Sequence, residues 1–388
     1  MTSNLVDGLV EEVTGWRRHI HQHPELGYHE EKTSAFVAER LRAFGLDEVH
    51  ERIGVTGVVG VLHGRNGPGG RAIGMRADMD ALPITEQNDT EYTSNNPGVM
   101  HACGHDGHTA LLLGAAKGLA ETRAFDGTAY FIFQPAEEGG AGAARMIEDG
   151  LFDRFPMEEV YGLHNAPGVD IGSFHIRPGP LLAAADRFDI RIRARGGHAA
   201  EPHFTADPVL TAAQIIVGLQ GIVSRETRAL DAAVLSVTQM QGANAHNVIP
   251  HEAMLGGTIR TFRADDRTRV QHRLREVAEG IAASMGASAV VTIHDGYPAT
   301  VNHPDQTTFA ADTAAELVGE SRVARNGDPI MAAEDFSYML EQRPGAFIFL
   351  GNGDSAECHM PTYDFSDAAI PHGVGFWIRL VEKALPAG

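Results

Sequence analysis

The residues best suited to chemistry lie together between Met100 and His108, in the sequence Met-His-Ala-Cys-Gly-His-Asp-Gly-His. A buried core has no use for three imidazoles, a thiol and a carboxylate, because each polar group would need a partner. A transition-metal site does use them, since thiolate and imidazole are good ligands and a carboxylate can orient an imidazole. Cys103 and His105 are two residues apart and point to the same side of an extended or looped backbone. We therefore expect one metal centre, or two adjoining ones, at this stretch.

Short apolar runs bounded by glycine predict strands that alternate with helices along the chain. Strands are expected at 55–62, 72–77, 127–133, 160–163 and 346–350, and helices at 4–22, 31–44, 109–119, 141–149, 305–318, 334–340 and 367–384. This alternation predicts an α/β fold with a mostly parallel sheet and helices on both faces. The ligand site of such a sheet lies beyond the carboxyl ends of its strands. His19, His21 and His23 are expected to lie at a solvated helix end.

Polar side chains follow several of these strands directly. Asp78 and Asp80 follow the second strand, Glu137 and Glu138 the third, His164 the fourth and His359 the last. The predicted metal ligands are Cys103, His105, Glu138, His164 and His359. Five side chains, some of them shared, suit two divalent ions about 3.5–4 Å apart.

The adjacent carboxylates of Glu137 and Glu138 repel each other unless a cation neutralises one of them. A metal ion on Glu138 leaves Glu137 to act as the general base, which deprotonates a metal-bound water and passes the proton to the leaving amine. Asp80 is expected to orient a ligating imidazole or otherwise shape the metal centre. Asp78 can serve instead, and the spacing alone does not choose between the two aspartates.

The pattern changes near residue 186, where apolar residues begin to alternate with charged ones as in a strand with one wet face. The order strand-helix-strand-strand-helix-strand follows, which is the ferredoxin-like order. We predict a first domain formed by residues 1–185 and 296–388 and an inserted second domain at 186–295. The exposed edges of its sheet favour pairing with a second copy of the chain.

The second domain has its own polar candidates. His198 lies between glycines and alanines on a predicted turn, where its imidazole can donate a hydrogen bond to an oxyanion. Asn247 and Arg260 are further candidates, and a guanidinium matches a carboxylate bidentately. Each of the three residues, taken alone, also fits a purely structural role.

Composition limits the partners. The chain has 31 basic and 51 acidic residues, a formal net charge of −20, which argues against nucleic acid and anionic membranes but not against a small anionic substrate. Its two cysteines fit a reducing compartment, although Cys358 can form a disulfide with Cys103 on oxidation. We find no signal-peptide pattern and no apolar run near the roughly 20 residues of a membrane span. A cytoplasmic protein is expected.

Together these residues resemble the dinuclear metal-dependent amidohydrolases that include aminoacylases, hippurate hydrolases and auxin-conjugate hydrolases, in the branch with a cysteine ligand. The matching segments, spread over essentially the whole chain, are Arg76–Pro83, Met100–His108, Gln134–Gly140, Gly162–Asn165, Gly196–His203, Asn247–Pro250, Glu334–Phe336 and Cys358–Pro361. The resemblance implies a zinc-peptidase-like catalytic domain with an inserted lid that dimerises. It also implies that the five ligands and the base Glu137 hold the roles given above.

The same resemblance assigns the residues of the lid. His198 matches the histidine that reaches an active site, in many members that of the partner subunit, and Asn247 and Arg260 match positions that hold the substrate carboxylate. The implied assembly is a homodimer through the lid, with a tetramer as the alternative. The implied cofactors are two divalent ions per subunit, with zinc, manganese, cobalt and nickel all open.

The expected function is hydrolysis of the amide bond in N-acyl amino acids of the hippurate or N-acetyl type, with metal-bound hydroxide as the nucleophile. A carboxypeptidase or dipeptidase with the same machinery is the alternative. A thiol hydrolase with Cys103 as nucleophile and His105 as base also stays open. So does a catalytically inactive binding protein on the same fold. Loss or survival of activity after removal of metal separates the first two from the thiol enzyme.

Overall fold

A computed structural model describes residues 2–388, which fall into two compact units. The first unit comprises the chain up to Gly179 together with Val301–Asp328 and Asp335–Gly388. The second unit comprises Pro180–Thr300 and Pro329–Glu334. The second unit is therefore an insertion in the sequence of the first, and each unit has its own apolar core.

The helices and strands follow one another closely along the chain. The helices are α1 (Thr2–Gln22), α2 (Glu31–Ala43), α3 (His105–Thr122), α4 (Glu137–Gly140), α5 (Gly142–Glu148), α6 (Leu151–Arg154), α7 (Pro208–Gly221), α8 (Ala264–Ser284), α9 (Pro304–Val318), α10 (Ser337–Gln342) and α11 (Ile370–Ala384). The strands are β1 (Glu48–Ile53), β2 (Gly57–His63), β3 (Ala72–Asp78), β4 (Thr128–Gln134), β5 (Glu159–Ala166), β6 (Phe174–His175), β7 (Gly179–Leu182), β8 (Ala184–Arg193), β9 (Gly197–His198), β10 (Ala233–Gln241), β11 (Val248–Ile249), β12 (Glu252–Thr261), β13 (Ser288–His294), β14 (Thr300–Asn302), β15 (Val323–Ala324) and β16 (Gly345–Gly351).

The first unit is organised around an eight-stranded sheet with the order β1-β2-β4-β3-β5-β16-β6-β15. The central pairs β4–β3, β3–β5 and β5–β16 are parallel, and the antiparallel pairs lie toward the two ends of the sheet. Every residue of β3 and β4 is buried, so both faces of the sheet centre are covered. The predicted α/β fold with a mostly parallel sheet is confirmed.

Helix α3 matters for the site because its first turn carries His105 and His108. The helix is apolar around most of its circumference and is buried for nearly its whole length, as expected for a helix inside a large core. It packs tightly between α1 and α11 at Gly114, where an added Cβ would meet Val13 at 2.8 Å and Val374 at 2.9 Å. The close packing of three helices therefore fixes the position of the first turn of α3.

The second unit contains a four-stranded antiparallel sheet with the order β10-β12-β8-β13. In the sequence, α7 lies between β8 and β10, and α8 lies between β12 and β13. This order of strands and helices is the ferredoxin-like arrangement expected from the residue pattern. Strand β8 alternates buried and more exposed positions, with Phe188, Ile190 and Ile192 in the core. Helix α7 adds Ile215 and Leu219 to the same core.

One stretch of the described chain, Pro208–Glu226, is long and apolar enough to cross a membrane by length and composition alone. The expectation that no run approaches that length is therefore wrong for this stretch. The finding is weak evidence for a membrane span, because the core helix of a soluble protein passes the same test. Here the stretch contributes Ile215, Leu219 and Ile222 to the core of the second unit.

Candidate metal centre

The first unit brings all five predicted metal ligands together. Cys103 lies in the loop before α3 and His105 begins that helix, while Glu138 follows β4 in the short helix α4. His164 lies near the carboxyl end of β5, and His359 follows β16 in a loop whose backbone N–H donates to the Ala102 carbonyl at 2.7 Å. The five side chains therefore come from segments near the ends of four neighbouring strands. This is where the ligand site of an open α/β sheet is expected.

The ligand atoms form overlapping groups of three. Within each group every atom lies no more than 4.8 Å from the other two. The groups are Cys103–His105–His164, Cys103–Glu138–His359 and His105–Glu137–Glu138. Because Cys103 belongs to two groups with different partners, a two-ion site at this cluster would share its thiolate.

Two of the histidines direct Nε2 toward this cluster. His105 Nδ1 lies 2.8 Å from the Asp80 carbonyl oxygen, which only accepts, so Nδ1 carries a proton and donates. His105 Nε2 is buried without a hydrogen-bond partner. His164 Nδ1 lies 2.7 Å from the Asn165 carbonyl oxygen, and its Nε2 lies 3.4 Å from Cys103 Sγ. Backbone carbonyls thus keep a proton on each Nδ1 and orient each Nε2 toward the position of an ion.

The cluster carries an excess of negative charge that favours cations. A hydrogen bond with the Cys358 thiol, burial and the carboxylates of Glu138 and Glu137 raise the pKa of Cys103 well above its usual value. Burial lowers the pKa of His105, but the carboxylates around it, including Asp78, outweigh burial and raise that pKa. Both groups therefore hold protons that a divalent cation would displace on binding. The donor set fits such an ion.

Glu137 is buried beside these ligands, and the backbone on either side of it is held by carboxylates. The Ala136 N–H donates to Glu30 Oε1 at 2.8 Å, and the Glu138 N–H donates to Asp80 Oδ2 at 2.9 Å. Ala136 itself has a positive φ of 50°, which is unusual for a residue with a side chain. The turn that presents Glu137 is therefore held from both sides.

Glu30 is a residue that the sequence analysis missed. It is fully buried, and its second oxygen accepts a hydrogen bond from Thr56 at 2.6 Å. Burial raises the pKa of Glu30 in spite of these hydrogen bonds. Nothing in the local sequence points to it, because the backbone N–H that it accepts belongs to Ala136, far along the chain.

Asp78, the last residue of β3, and Asp80 both contact histidines of α3, a question that the spacing alone did not resolve. Asp80 Oδ1 lies 3.2 Å from His105 Nδ1, and Asp78 Oδ1 lies 2.7 Å from His108 Nδ1. Burial lowers the pKa of His108 to about 4, although the neighbouring carboxylate opposes that shift. Arg76 donates to Asp78 Oδ2 at 2.8 Å.

The expectation of a solvated helix end is wrong for His21. This ring is fully buried, with Nδ1 2.8 Å from Asp106 Oδ2 and Nε2 3.1 Å from Glu86 Oε1. Burial lowers its pKa, but the two carboxylates outweigh burial and raise the pKa to about 9. His19 is exposed and His23 is half-buried, in line with the expectation for those two residues.

The cysteine pair is reduced. Both thiols are free, and Cys358 Sγ lies 4.0 Å from the Cys103 carbonyl oxygen. The predicted disulfide on oxidation stays a prediction.

The predicted substrate residues lie in the second unit and are more open to solvent. His198, on β9 opposite Val248, is exposed, and its Nδ1 accepts the Ala200 N–H at 3.1 Å. In a neutral ring Nε2 then carries the proton. Asn247 is exposed. Arg260 is half-buried on β12, and within the described residues no carboxylate lies within ion-pair distance of it.

Comparisons with known proteins agree on one protein family. The sequence profile of the family described as "Peptidase family M20/M25/M40" matches residues 74–383. The chain is 39% identical over 369 residues to the hippurate hydrolase of Campylobacter jejuni, covering 95% of each protein. It is 41% identical over 363 residues to the N-acetyl-L-cysteine deacetylase of Bacillus subtilis, covering 93% of this chain and 85% of that protein. A solved Bacillus subtilis structure described as a dinuclear metal binding peptidase from the M20 family matches with a TM-score of 0.85 and 34% identity, over 98% of this chain and 99% of that one.

Proposed function

The chain belongs to peptidase family M20/M25/M40, and from that premise we propose that it hydrolyses the amide bond of N-acyl amino acids. The observation that carries the proposal is the partly buried cluster in which Cys103 joins two groups of candidate ligands beside Glu137. The names of the two relatives, a hippurate hydrolase and an N-acetyl-L-cysteine deacetylase, support an acylated amino acid as the substrate class.

The cofactor of this proposal is a pair of divalent ions. Cys103, His105, Glu138, His164 and His359 would hold them. When bound, the ions supply Lewis acidity, which polarises the amide carbonyl and lowers the pKa of a water molecule. Thiolate and imidazole favour zinc by their softness, and manganese, cobalt and nickel are the other candidates.

Glu137 acts as the general base in this mechanism. It accepts a proton from the attacking water while the water oxygen bonds to the acyl carbon, and it delivers that proton to the nitrogen as the C–N bond breaks. The products are the free carboxylic acid and the amino acid. The hydrogen bonds from the Ala136 and Glu138 N–H groups to Glu30 and Asp80 keep the Glu137 turn in place during both proton transfers.

The second unit supplies the substrate contacts. We assign residues 186–295 as a lid that also forms a homodimer, with a tetramer as the alternative assembly. The proton on His198 Nε2 suits it to donate to the developing oxyanion. Arg260, which lacks an ion-pair partner in the described chain, binds the amino acid carboxylate with the help of Asn247. Two free thiols fit a cytoplasmic location, and the formal net charge of −20 argues against nucleic acid or an anionic membrane as a partner.

The test compares turnover before and after removal of metal. The purified protein is assayed on benzoyl-, acetyl- and indoleacetyl-amino acids, dialysed against a chelator, and assayed again after addition of zinc, manganese, cobalt or nickel. We expect chelation to abolish hydrolysis and one or more of the ions to restore it. Hydrolysis that survives complete removal of metal would favour Cys103 as a nucleophile and overturn the proposal.

A matched pair of cysteine variants sharpens this test. Cys103→Ser removes a candidate ligand, whereas Cys358→Ser removes the neighbouring thiol, which is in neither group of ligands. The first variant should lose bound metal and turnover, and the second should keep both. Equal metal content in the two variants would contradict the ligand assignment.

A further inference from the structure

We propose that His108 is a positioning residue, which joins three of the candidate ligands to one another without binding an ion itself. The inference rests on the proposed function only in that it takes the cluster around Cys103 to be a metal centre. It concerns a residue outside the five predicted ligands.

Both nitrogens of His108 are in use. The backbone N–H of Asn165 points at Nε2 from 3.0 Å, and because an amide N–H only donates, Nε2 must accept. Nδ1 therefore carries the proton and donates it to Asp78 Oδ1 at 2.7 Å. The ring is fully buried, so neither contact competes with solvent. A ring with no lone pair left cannot bind a metal ion, although it lies within reach of the cluster.

On one side of the ring, Asp78 connects His108 to His105. Asp78 Oδ2 accepts from Arg76 at 2.8 Å and lies 3.6 Å from His105 Nε2, the nitrogen without a hydrogen-bond partner. His108 and Arg76 each hold one oxygen of this carboxylate, so its plane is fixed. A fixed negative charge beside His105 Nε2 strengthens the attraction of that position for a cation.

On the other side of the ring, Asn165 connects His108 to Cys103 and His164. Asn165 Nδ2 donates to the Cys103 carbonyl at 2.6 Å, and the Asn165 carbonyl oxygen accepts from His164 Nδ1 at 2.7 Å. Tyr363 donates to Asn165 Oδ1 at 2.8 Å and so sets the direction of the amide. One residue thus fixes both the Cys103 loop and the ring of His164.

Gly104 shows how closely this side is packed. A Cβ at Gly104 would lie 2.3 Å from Asn165 Nδ2 and 2.5 Å from Tyr363 Oη. Its φ of 90° is also one that residues with side chains rarely adopt. The glycine in the Cys-Gly-His sequence is therefore required by the Asn165–Tyr363 pair as well as by the turn itself.

The His108 ring contacts both sides, Asp78 through Nδ1 and Asn165 through Nε2. The three ligands that it connects, Cys103, His105 and His164, are those of one group whose atoms lie within 4.8 Å of each other. Loss of the ring should therefore weaken ion binding and alter the surroundings of the Cys103 thiolate. A ring that merely fills space in the core would affect stability alone.

Two substitutions separate the two sides of the ring. In His108→Asn the short amide can keep a donor near the position of Nδ1, so the bond to Asp78 survives and the one from Asn165 is lost. In His108→Gln the longer amide can keep an acceptor near Nε2 and loses the donor to Asp78. Tyr363→Phe is a milder change, because it removes only the hydrogen bond to Asn165 and keeps the buried ring.

The experiment is a titration of the metal-free full-length protein with Co²⁺, followed by visible absorption. The thiolate-to-cobalt charge-transfer band reports on Cys103, and a competing chelator gives the dissociation constants. We expect ion affinity to fall about 10- to 100-fold in both His108 variants, the range for residues that orient metal ligands. His108→Asn should also change the thiolate band, since it releases Asn165. For Tyr363→Phe we expect a weaker loss of about fivefold, below that range, because only one hydrogen bond to Asn165 is removed.

His21→Asn is the matched control. It removes another buried histidine–aspartate bond, of 2.8 Å, from a ring whose side-chain partners are Asp106 and Glu86 rather than a candidate ligand. This variant should lose stability but keep the Co²⁺ affinity and the thiolate band. If the His108 variants and Tyr363→Phe all bind Co²⁺ within about threefold of the wild type, a difference below any orienting effect, the inference is wrong. A wild-type protein that binds no Co²⁺ would instead contradict the proposed function and, with it, the inference about His108.

Discussion

The candidate ligands of the first unit are held by other parts of the chain, whereas the candidate substrate residues of the second unit are largely open to solvent. His105 and His164 each donate from Nδ1 to a backbone carbonyl and direct Nε2 toward the cluster. His198 and Asn247 are exposed, and Arg260 has no ion-pair partner within the described residues.

This difference indicates two kinds of site. Hydrogen bonds from other parts of the chain hold the cluster in the first unit, which suits ions that must be bound tightly and in a fixed geometry. The candidate residues of the second unit are exposed or half-buried and can offer hydrogen-bond donors to a substrate, which suits a molecule that must enter and leave. Loss of function should therefore take different forms in the two units: lost chemistry or lost metal in the first, and weaker handling of substrate in the second.

The largest effect is expected from Glu137→Gln. The amide cannot accept the proton of the attacking water, so kcat should fall about 10²- to 10⁴-fold, the range for a general base. Metal content should not change, because Glu138 and not Glu137 is in the predicted ligand set. Steady-state kinetics and elemental analysis on the same preparation check both parts. Turnover near the wild-type level would remove Glu137 from the mechanism.

The next largest effect is expected from His198→Ala. Its kcat should be lower by about 10²- to 10³-fold, the usual loss when one hydrogen-bond donor to an oxyanion is removed. The matched control is His203→Ala, which removes an exposed imidazole from the same segment. We expect the control to be nearly as active as the wild type and both variants to keep their metal. Equal losses in the two variants would mean that the segment matters only structurally.

Arg260→Ala should act mainly on KM. The lost guanidinium–carboxylate contact is expected to raise KM by about 10- to 100-fold, since hydrogen bonds to charged groups contribute roughly 1.5–3 kcal/mol. Arg187→Ala, at an exposed position of the neighbouring strand β8, is the control for loss of positive charge. A fall in kcat with KM unchanged would show that Arg260 does not bind the ground-state substrate.

The pH dependence of stability should depend on His21 in the first unit. Its pKa is raised from 6.5 to about 9 in the folded protein, so this contribution is fully present below about pH 6.5 and is lost as the pH rises through 9. Between pH 7 and 9 the free energy of unfolding should fall by about 2 kcal/mol on this account. Urea unfolding at several pH values measures it, with His21→Asn as the comparison. The variant should lack this part of the slope, and an identical slope would contradict the ion-pair assignment.

Much of this organisation follows from local sequence. Glycine-bounded apolar runs located the strands of the central sheet, and polar residues directly after those runs located the cluster. Cys103, His105 and Glu138 are close to one another because parallel strands end at one edge, which a sequence pattern can express. The change of period near residue 186 likewise indicated a second sheet with one wet face.

Other features depend on contacts that no local pattern contains. Strand β1 was missed because Glu48, His50 and Glu51 give it the composition of a loop, and it is an edge strand with little burial. His21 was misjudged because its partner Asp106 is 85 residues away and arrives only when α1 packs on α3. The aspartate that orients a ligating imidazole could not be chosen for the same reason, since Asp78 and Asp80 differ only in where the sheet places them.

An anomalous-scattering experiment on crystals of the protein grown with Co²⁺ tests the metal centre most directly. We predict two strong peaks per chain, both in contact with Cys103 Sγ, one of them also touching Glu138 and His359 and the other His105 and His164. Absence of anomalous density at Cys103, in crystals of protein that turns over its substrate, would contradict the account.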